Sequence, residues 1–225
     1  MNNIQVIYFY FLKFLMNRRI VYHVCSLGPL CHSSELLKVA ELKKCSYPFD
    51  WIFSSYDMVI HCIEDNFKMF MDKSYYIDIK SDKCGHKHYH EELFNHRNPL
   101  HIEEDYAYYE RCISRFQNLL RCKDQHKLFL VMNVNMSDVT DADKAAVVDF
   151  NNKLSMYTTN YTLLVVFNVV NKPVNSYEHT RNGNIDFLEL HTLTSSRGVR
   201  FINDDDNAYL KHVILTKCNY TFDII

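Results

Sequence analysis

Glycine and proline are scarce in this chain, four of each in 225 residues. That scarcity excludes collagen-like repeats, Pro-rich arms and long flexible linkers, which need one or both in quantity. The glycine-rich phosphate signatures GxGxxG and GxxxxGK[ST] are absent, so no loop is built to cradle a nucleotide phosphate. Charge of one sign is lacking too. Lys and Arg number 25 against 27 Asp and Glu, a formal charge of -2 at pH 7, and this balance excludes a broad basic surface for nucleic acid. The apolar and aromatic run from Ile4 to Met16 is broken by Lys13. It is too short to span a bilayer, and it lacks the preceding positive region and the small-residue cleavage site of a secretory signal.

What remains is an ordinary globular composition, 48% apolar, enough for a full-sized core. Residues 1–19 are expected to form an N-terminal extension and residues 20–225 one domain. The eight cysteines, Cys25, Cys31, Cys45, Cys62, Cys84, Cys112, Cys122 and Cys218, are spread through apparent strands and helices without the dense spacing of a disulfide scaffold. Reduced thiols and a cytoplasmic location follow.

Periodicity sets the expected fold. Residues 20–27 read as an apolar strand that breaks at Gly28-Pro29 and restarts as a helix with Leu36, Leu37 and Ala40 inward. Ser54-Ser55 caps a helix in which Met58, Val59, Cys62, Ile63, Phe67 and Phe70 recur at three and four. Residues 75–79 suggest a short strand, and 103–120 a helix burying Tyr109, Cys112, Ile113 and Phe116. The second half alternates buried strands at 127–134, 161–168 and 185–190 with helices at 142–157 and after Asp204-Asp205-Asp206, whose acids suit a helix N-terminus. The expectation is an α/β fold, a single domain with a mainly parallel sheet flanked by helices.

In such a sheet, ligands sit beyond the carboxyl ends of the strands, where the Gly28 turn delivers Cys31. A helix N-terminus favours thiolate over thiol. A nucleophilic thiol needs a base and a group that orients it. His96 and His191 both stand where a loop or strand end could supply the base, Asp50 could orient either, and His32 points a quarter-turn away from its neighbour. Arg111 and Arg115, four apart on one helix, would form an anion site if turned toward the cleft. Cys84, His86, His88 and His90 alternate in a way that would align metal ligands on a strand, but no second ligand pair accompanies them, and no metal or cofactor is expected.

Ser26-Leu-Gly-Pro-Leu-Cys31, Pro48-Phe-Asp-Trp51, Phe94-Asn-His96 and Arg111-Cys-Ile-Ser-Arg-Phe116 resemble, in order and approximate spacing over roughly residues 20 to 135, a family of uncharacterised proteins described as papain-like cysteine peptidases, found in bacteria and large DNA viruses. The resemblance implies Cys31 as nucleophile, His96 as base, Asp50 as third member, a peptide or other acyl substrate, and an α+β papain-like arrangement in place of the parallel sheet. Asn95-His96-Arg97 stands where the family has His-His or His-Asp. The other functions the residues allow are a transferase-like or anionic-ligand-binding α/β protein using Arg111 and Arg115, and a catalytically inactive interaction protein.

Overall fold

The structure is a computed structural model and describes residues 18–80 and 82–224. The run Ile4 to Met16, and with it nearly all of the expected extension, lies outside the described residues. Strands β1 (Arg19–Val21) and β2 (His23–Ser26) lead into helix α1 (Cys31–Val39), then α2 (Tyr56–Glu64), the one-turn α3 (Lys68–Met71), β3 (Tyr76–Lys80), β4 (Lys83–His86) and β5 (His90–Phe94). The second half runs α4 (Glu103–Arg121), β6 (Lys127–Met136), α5 (Asp141–Leu154), β7 (Tyr161–Val169), β8 (Ser176–Asn182), β9 (Ile185–His191), α6 (Asp204–Thr216) and β10 (Tyr220–Phe222).

The central sheet has the order β2-β6-β7-β9-β8, with the first four strands parallel and β8 antiparallel at one edge. This is the expected α/β class, and not the α+β arrangement. Alternation along the strands sorts the core into two layers. Phe129, Val131, Leu163, Val165, Phe167 and Phe187 meet Val59 and Cys62 of α2, Phe116 and Leu119 of α4, and Val147 and Phe150 of α5. On the opposite face, Leu128, Leu130, Leu164, Val166, Leu188 and Leu190 meet Leu36 and Leu37 of α1 and Leu210 and Val213 of α6. Strands buried on both faces read as unbroken apolar runs, which is why β6, β7 and β9 were recognisable in the sequence.

Four details differ from expectation. The strand expected over 20–27 is split: β1 pairs with β10 in a separate two-stranded parallel ribbon, and only β2 joins the main sheet. The split falls at Tyr22, where the backbone N–H groups of Tyr22 and His23 both donate to the His126 carbonyl. The helix expected to run to Phe70 ends at Glu64, because Asn66 and Phe67 adopt left-handed backbone (φ 58° and 61°) and turn Phe67 inward against Phe49, Phe70 and Phe116. The Cys84 to His90 stretch is a hairpin within the antiparallel sheet β3-β4-β5, with His86 paired to His90. The polar edge strand β8 was not anticipated, although Gly183-Asn184, with Gly183 at φ 60°, is a two-residue hairpin signal between Asn182 and its partner Ile185.

The turn after β2 positions the rest. Leu27 N–H still donates to Leu130 O (2.9 Å) and Met132 N–H to Gly28 O (3.1 Å), so the chain follows β6 for two residues past β2 before leaving the sheet. Ser54 then clamps it, donating from Oγ to Leu27 O (2.8 Å) and from N–H to Pro29 O (3.1 Å). Gly28 sits under this clamp at φ 93°, and a Cβ there would lie 1.7 Å from Ser54 Oγ. Both the dihedral and the space require glycine. Gly28→Ala is expected to destabilise the fold by about 2 kcal/mol or more in urea denaturation. The Gly28→Ala/Ser54→Ala pair should cost less than the sum of its single variants, because the clash is relieved while the backbone strain persists.

Candidate active site

Cys31 opens α1 as its first helical residue, preceded by Leu30 in extended backbone (φ -127°, ψ 164°) with no side-chain cap. A line of hydrogen bonds holds the turn: Gly28 N–H donates to Ser26 Oγ (3.3 Å), Ser26 and Ser33 hydroxyls bond at 2.6 Å, and Ser33 Oγ donates to Leu30 O (3.0 Å). Since the Ser33 proton goes to Leu30, the Ser26 hydroxyl is the donor to Ser33. The Cys31 thiol is thereby fixed at the carboxyl end of the sheet, 5% exposed.

His96 reaches it from the other side. The imidazole is carried by the loop after β5, and that loop is anchored to the first turn of α4. Asp105 receives Arg97 Nη1 at 2.7 Å and Asn98 N–H at 2.8 Å, and the Arg97 guanidinium lies 3.7 Å over the Tyr108 ring. His96 Nε2 then stands 3.5 Å from Cys31 Sγ, hydrogen-bond distance for sulfur. No carboxylate hydrogen-bonds the imidazole among the described residues.

Asp50 is 1% exposed and is not bonded to His96. Its Oδ2 accepts from Lys43 Nζ and from Tyr47 N–H (2.7 Å), whereas Oδ1 is buried without a hydrogen-bond partner. Lys43 also donates to Ser34 Oγ (2.9 Å) on α1 and sits 5.5 Å from the centre of the Trp51 ring, which in turn meets His96 edge-on at 6.3 Å and 88°. The sequence reasoning missed Lys43. Its only signal was that a buried aspartate needs a cation nearby, and Lys43 lies one turn beyond the end of α1.

The electrostatics oppose one expectation. Burial pushes the Cys31 thiol up to about 11; its own backbone N–H favours the thiolate, and Asp50 adds to the rise. Desolvation therefore outweighs the helix N-terminus, and the resting group is a thiol. Burial likewise raises Asp50, opposed by Lys43 and the Tyr47 N–H.

The other sequence candidates lie elsewhere. His191 is bonded to Ser176 Oγ (2.8 Å) and Glu189 Oε1 (2.9 Å) at the β8-β9 edge. His32 is buried against Phe201 with Nδ1 on Ser196 Oγ (2.9 Å). Arg111 and Arg115 are exposed on α4, Arg115 reaching only Ser46 O at 3.4 Å, and no bond joins either guanidinium to Cys31, His96 or Asp50. Cys84 is buried and His86 Nε2 lies 3.0 Å from Met69 O, while His88 and His90 are exposed. No cluster of three or more metal-ligating side chains occurs among the described residues, and no helix among them is long and apolar enough to cross a membrane.

The three residues drawn together around the turn, Cys31, Asp50 and His96, lie within one continuous stretch. Residues 22–99 match the model of the family described as "Putative papain-like cysteine peptidase". The resemblance noted in the sequence is thus borne out for the segment from β2 to the His96 loop, while Arg111 and Arg115 lie beyond it. No curated protein and no solved structure matches the chain.

Lys43→Met is expected to destabilise the protein by roughly 3 kcal/mol, since it strands a buried carboxylate. Lys43→Met/Asp50→Asn should be less destabilised than Lys43→Met alone in urea titrations. A double variant as unstable as the single would show that the charge is not what Lys43 supports.

Proposed function

We propose that this protein is a thiol hydrolase of the cysteine-peptidase kind, with Cys31 as nucleophile and His96 as general base. The observation that carries the reading is the 3.5 Å approach of His96 Nε2 to Cys31 Sγ at the carboxyl end of a parallel sheet. The thiol is neutral at rest, so His96 takes its proton as sulfur attacks the substrate carbonyl carbon. The carbonyl electron pair moves to oxygen, and the unpaired N–H groups of the first turn of α1 face the oxyanion. The imidazolium then returns the proton to the leaving group. Water, deprotonated by the same imidazole, cleaves the acyl-thioester and restores the thiol.

Asp50 acts in this reading at one remove, as a positioning residue. It fixes Lys43 against Trp51, and Trp51 bounds the imidazole on its edge. Arg111 and Arg115 take no part.

Iodoacetamide labelling with mass mapping tests the pair. At pH 7 Cys31 is expected to react faster than Cys62, which burial pushes to about 12, and faster than Cys112, which burial also raises. His96→Ala should slow Cys31 by on the order of a hundredfold. The remaining reactivity should follow thiol ionisation alone, with a midpoint near about 11, whereas His191→Ala should leave the rate as it was. Wild-type Cys31 that reacts no faster than Cys62 and Cys112, or a rate indifferent to His96→Ala, would overturn the assignment.

A further inference from the structure

Beside the Cys31 turn lies a cavity of about 190 Å³ lined by Leu27, Pro29, Ser54, Tyr56, Val131 and Asn133. We propose that it is a specificity pocket for one uncharged apolar side chain of the substrate, that of the residue whose carbonyl Cys31 attacks. The proposal rests on the thiol-hydrolase reading and adds to it the substrate class.

Position comes first. Leu27 and Pro29 belong to the same turn that delivers Cys31 two residues later, and Val131 and Asn133 lie in β6, the strand to which that turn is bonded. The pocket therefore opens at the carboxyl end of the sheet, where parallel α/β folds bind ligands. Size is the second constraint. The volume equals that of about six liquid waters, a little above the roughly 150 Å³ cavity that accepts benzene, and below the roughly 300 Å³ at which sites for whole small molecules begin. A leucine or phenylalanine side chain fills it.

Chemistry is the third. No charged side chain lines the cavity, and its polar walls are engaged with one another or with backbone: Ser54 Oγ donates to Leu27 O at 2.8 Å and Asn133 Nδ2 to Tyr56 Oη at 3.1 Å. An ammonium or carboxylate entering here finds no charged group in the wall and loses its water. The Tyr56 ring is stacked on Phe150 at 4.7 Å and 20°, so the wall is held in place before any ligand arrives.

The test uses N-acetyl aminoacyl chloromethyl ketones carrying Leu, Ala, Asp or Lys side chains. Each forms a carbon–sulfur bond at Cys31 and releases chloride, and iodoacetamide serves in parallel as a probe without a side chain. In wild type, the Leu reagent should label Cys31 at least about tenfold faster than the Ala reagent, with Asp and Lys slower than Ala. In Asn133→Asp, the Lys-to-Leu rate ratio should rise by about tenfold or more. Equal Leu and Ala rates alongside preferential iodoacetamide labelling of Cys31 would overturn the pocket and leave the thiol reading standing. Failure of iodoacetamide to prefer Cys31 would overturn both. The wild-type Leu-to-Ala ratio needs no variant, so it decides the matter even if Asn133→Asp does not fold.

Discussion

The site depends on a side chain that is not there. Because Gly28 carries only hydrogen, the Ser54 hydroxyl can close over the turn, and four segments become one unit: β2, the middle of β6, the N-terminus of α1 and the loop leading to α2. Ser55, the next residue, caps α2 by accepting Met58 N–H, while Asp50 and Trp51 lie just upstream in the same loop. Crowding at one backbone position thus fixes Cys31, the neighbours of His96 and the wall of a cavity together. A looser turn would leave each of these to be positioned separately, at a separate cost in conformational entropy.

Burial governs the charges. Desolvation raises both the Cys31 thiol and the Asp50 carboxyl, and the Lys43 ammonium offsets only part of the second effect. The sign matters for Asp50. A carboxyl whose folded pKa exceeds its unfolded value of about 3.9 favours folding most below that value, and this contribution is lost as pH rises through the folded pKa. The burial of Asp50 therefore favours the fold less as pH rises, and the Lys43 ammonium offsets part of that loss. The same desolvation leaves the Cys31 thiol hard to ionise, and the group that stands within hydrogen-bond distance of its sulfur is the His96 imidazole at 3.5 Å.

Much of this was legible in the residues. Apolar runs identified β6, β7 and β9, the three-and-four periodicity identified α2 and α4, and the Gly28-Pro29 break placed Cys31 at a helix start. Cys31 and His96 stand out in the sequence through the order and spacing of the motif segments around them. The edge strand β8 was hidden by its polar, solvent-facing side chains, since a half-exposed edge does not produce an apolar run. The end of α2 was hidden because Phe67 continues the apolar period in sequence while its left-handed backbone leaves the helix. The partner of Asp50 was hidden for a different reason: pairing seven residues apart across a non-helical turn follows no sequence periodicity. The rise of the thiol's pKa was hidden because a helix terminus is visible in sequence and the depth of burial is not.

The two core layers have one further consequence. Cys31 rides on a helix packed to one face of the sheet, and His96 on a loop that follows Leu93 and Phe94, which belong to the other. Sulfur and nitrogen meet only over the rim that both layers share. Neither face of the sheet alone brings the two atoms together, so their 3.5 Å approach exists only once both layers are packed.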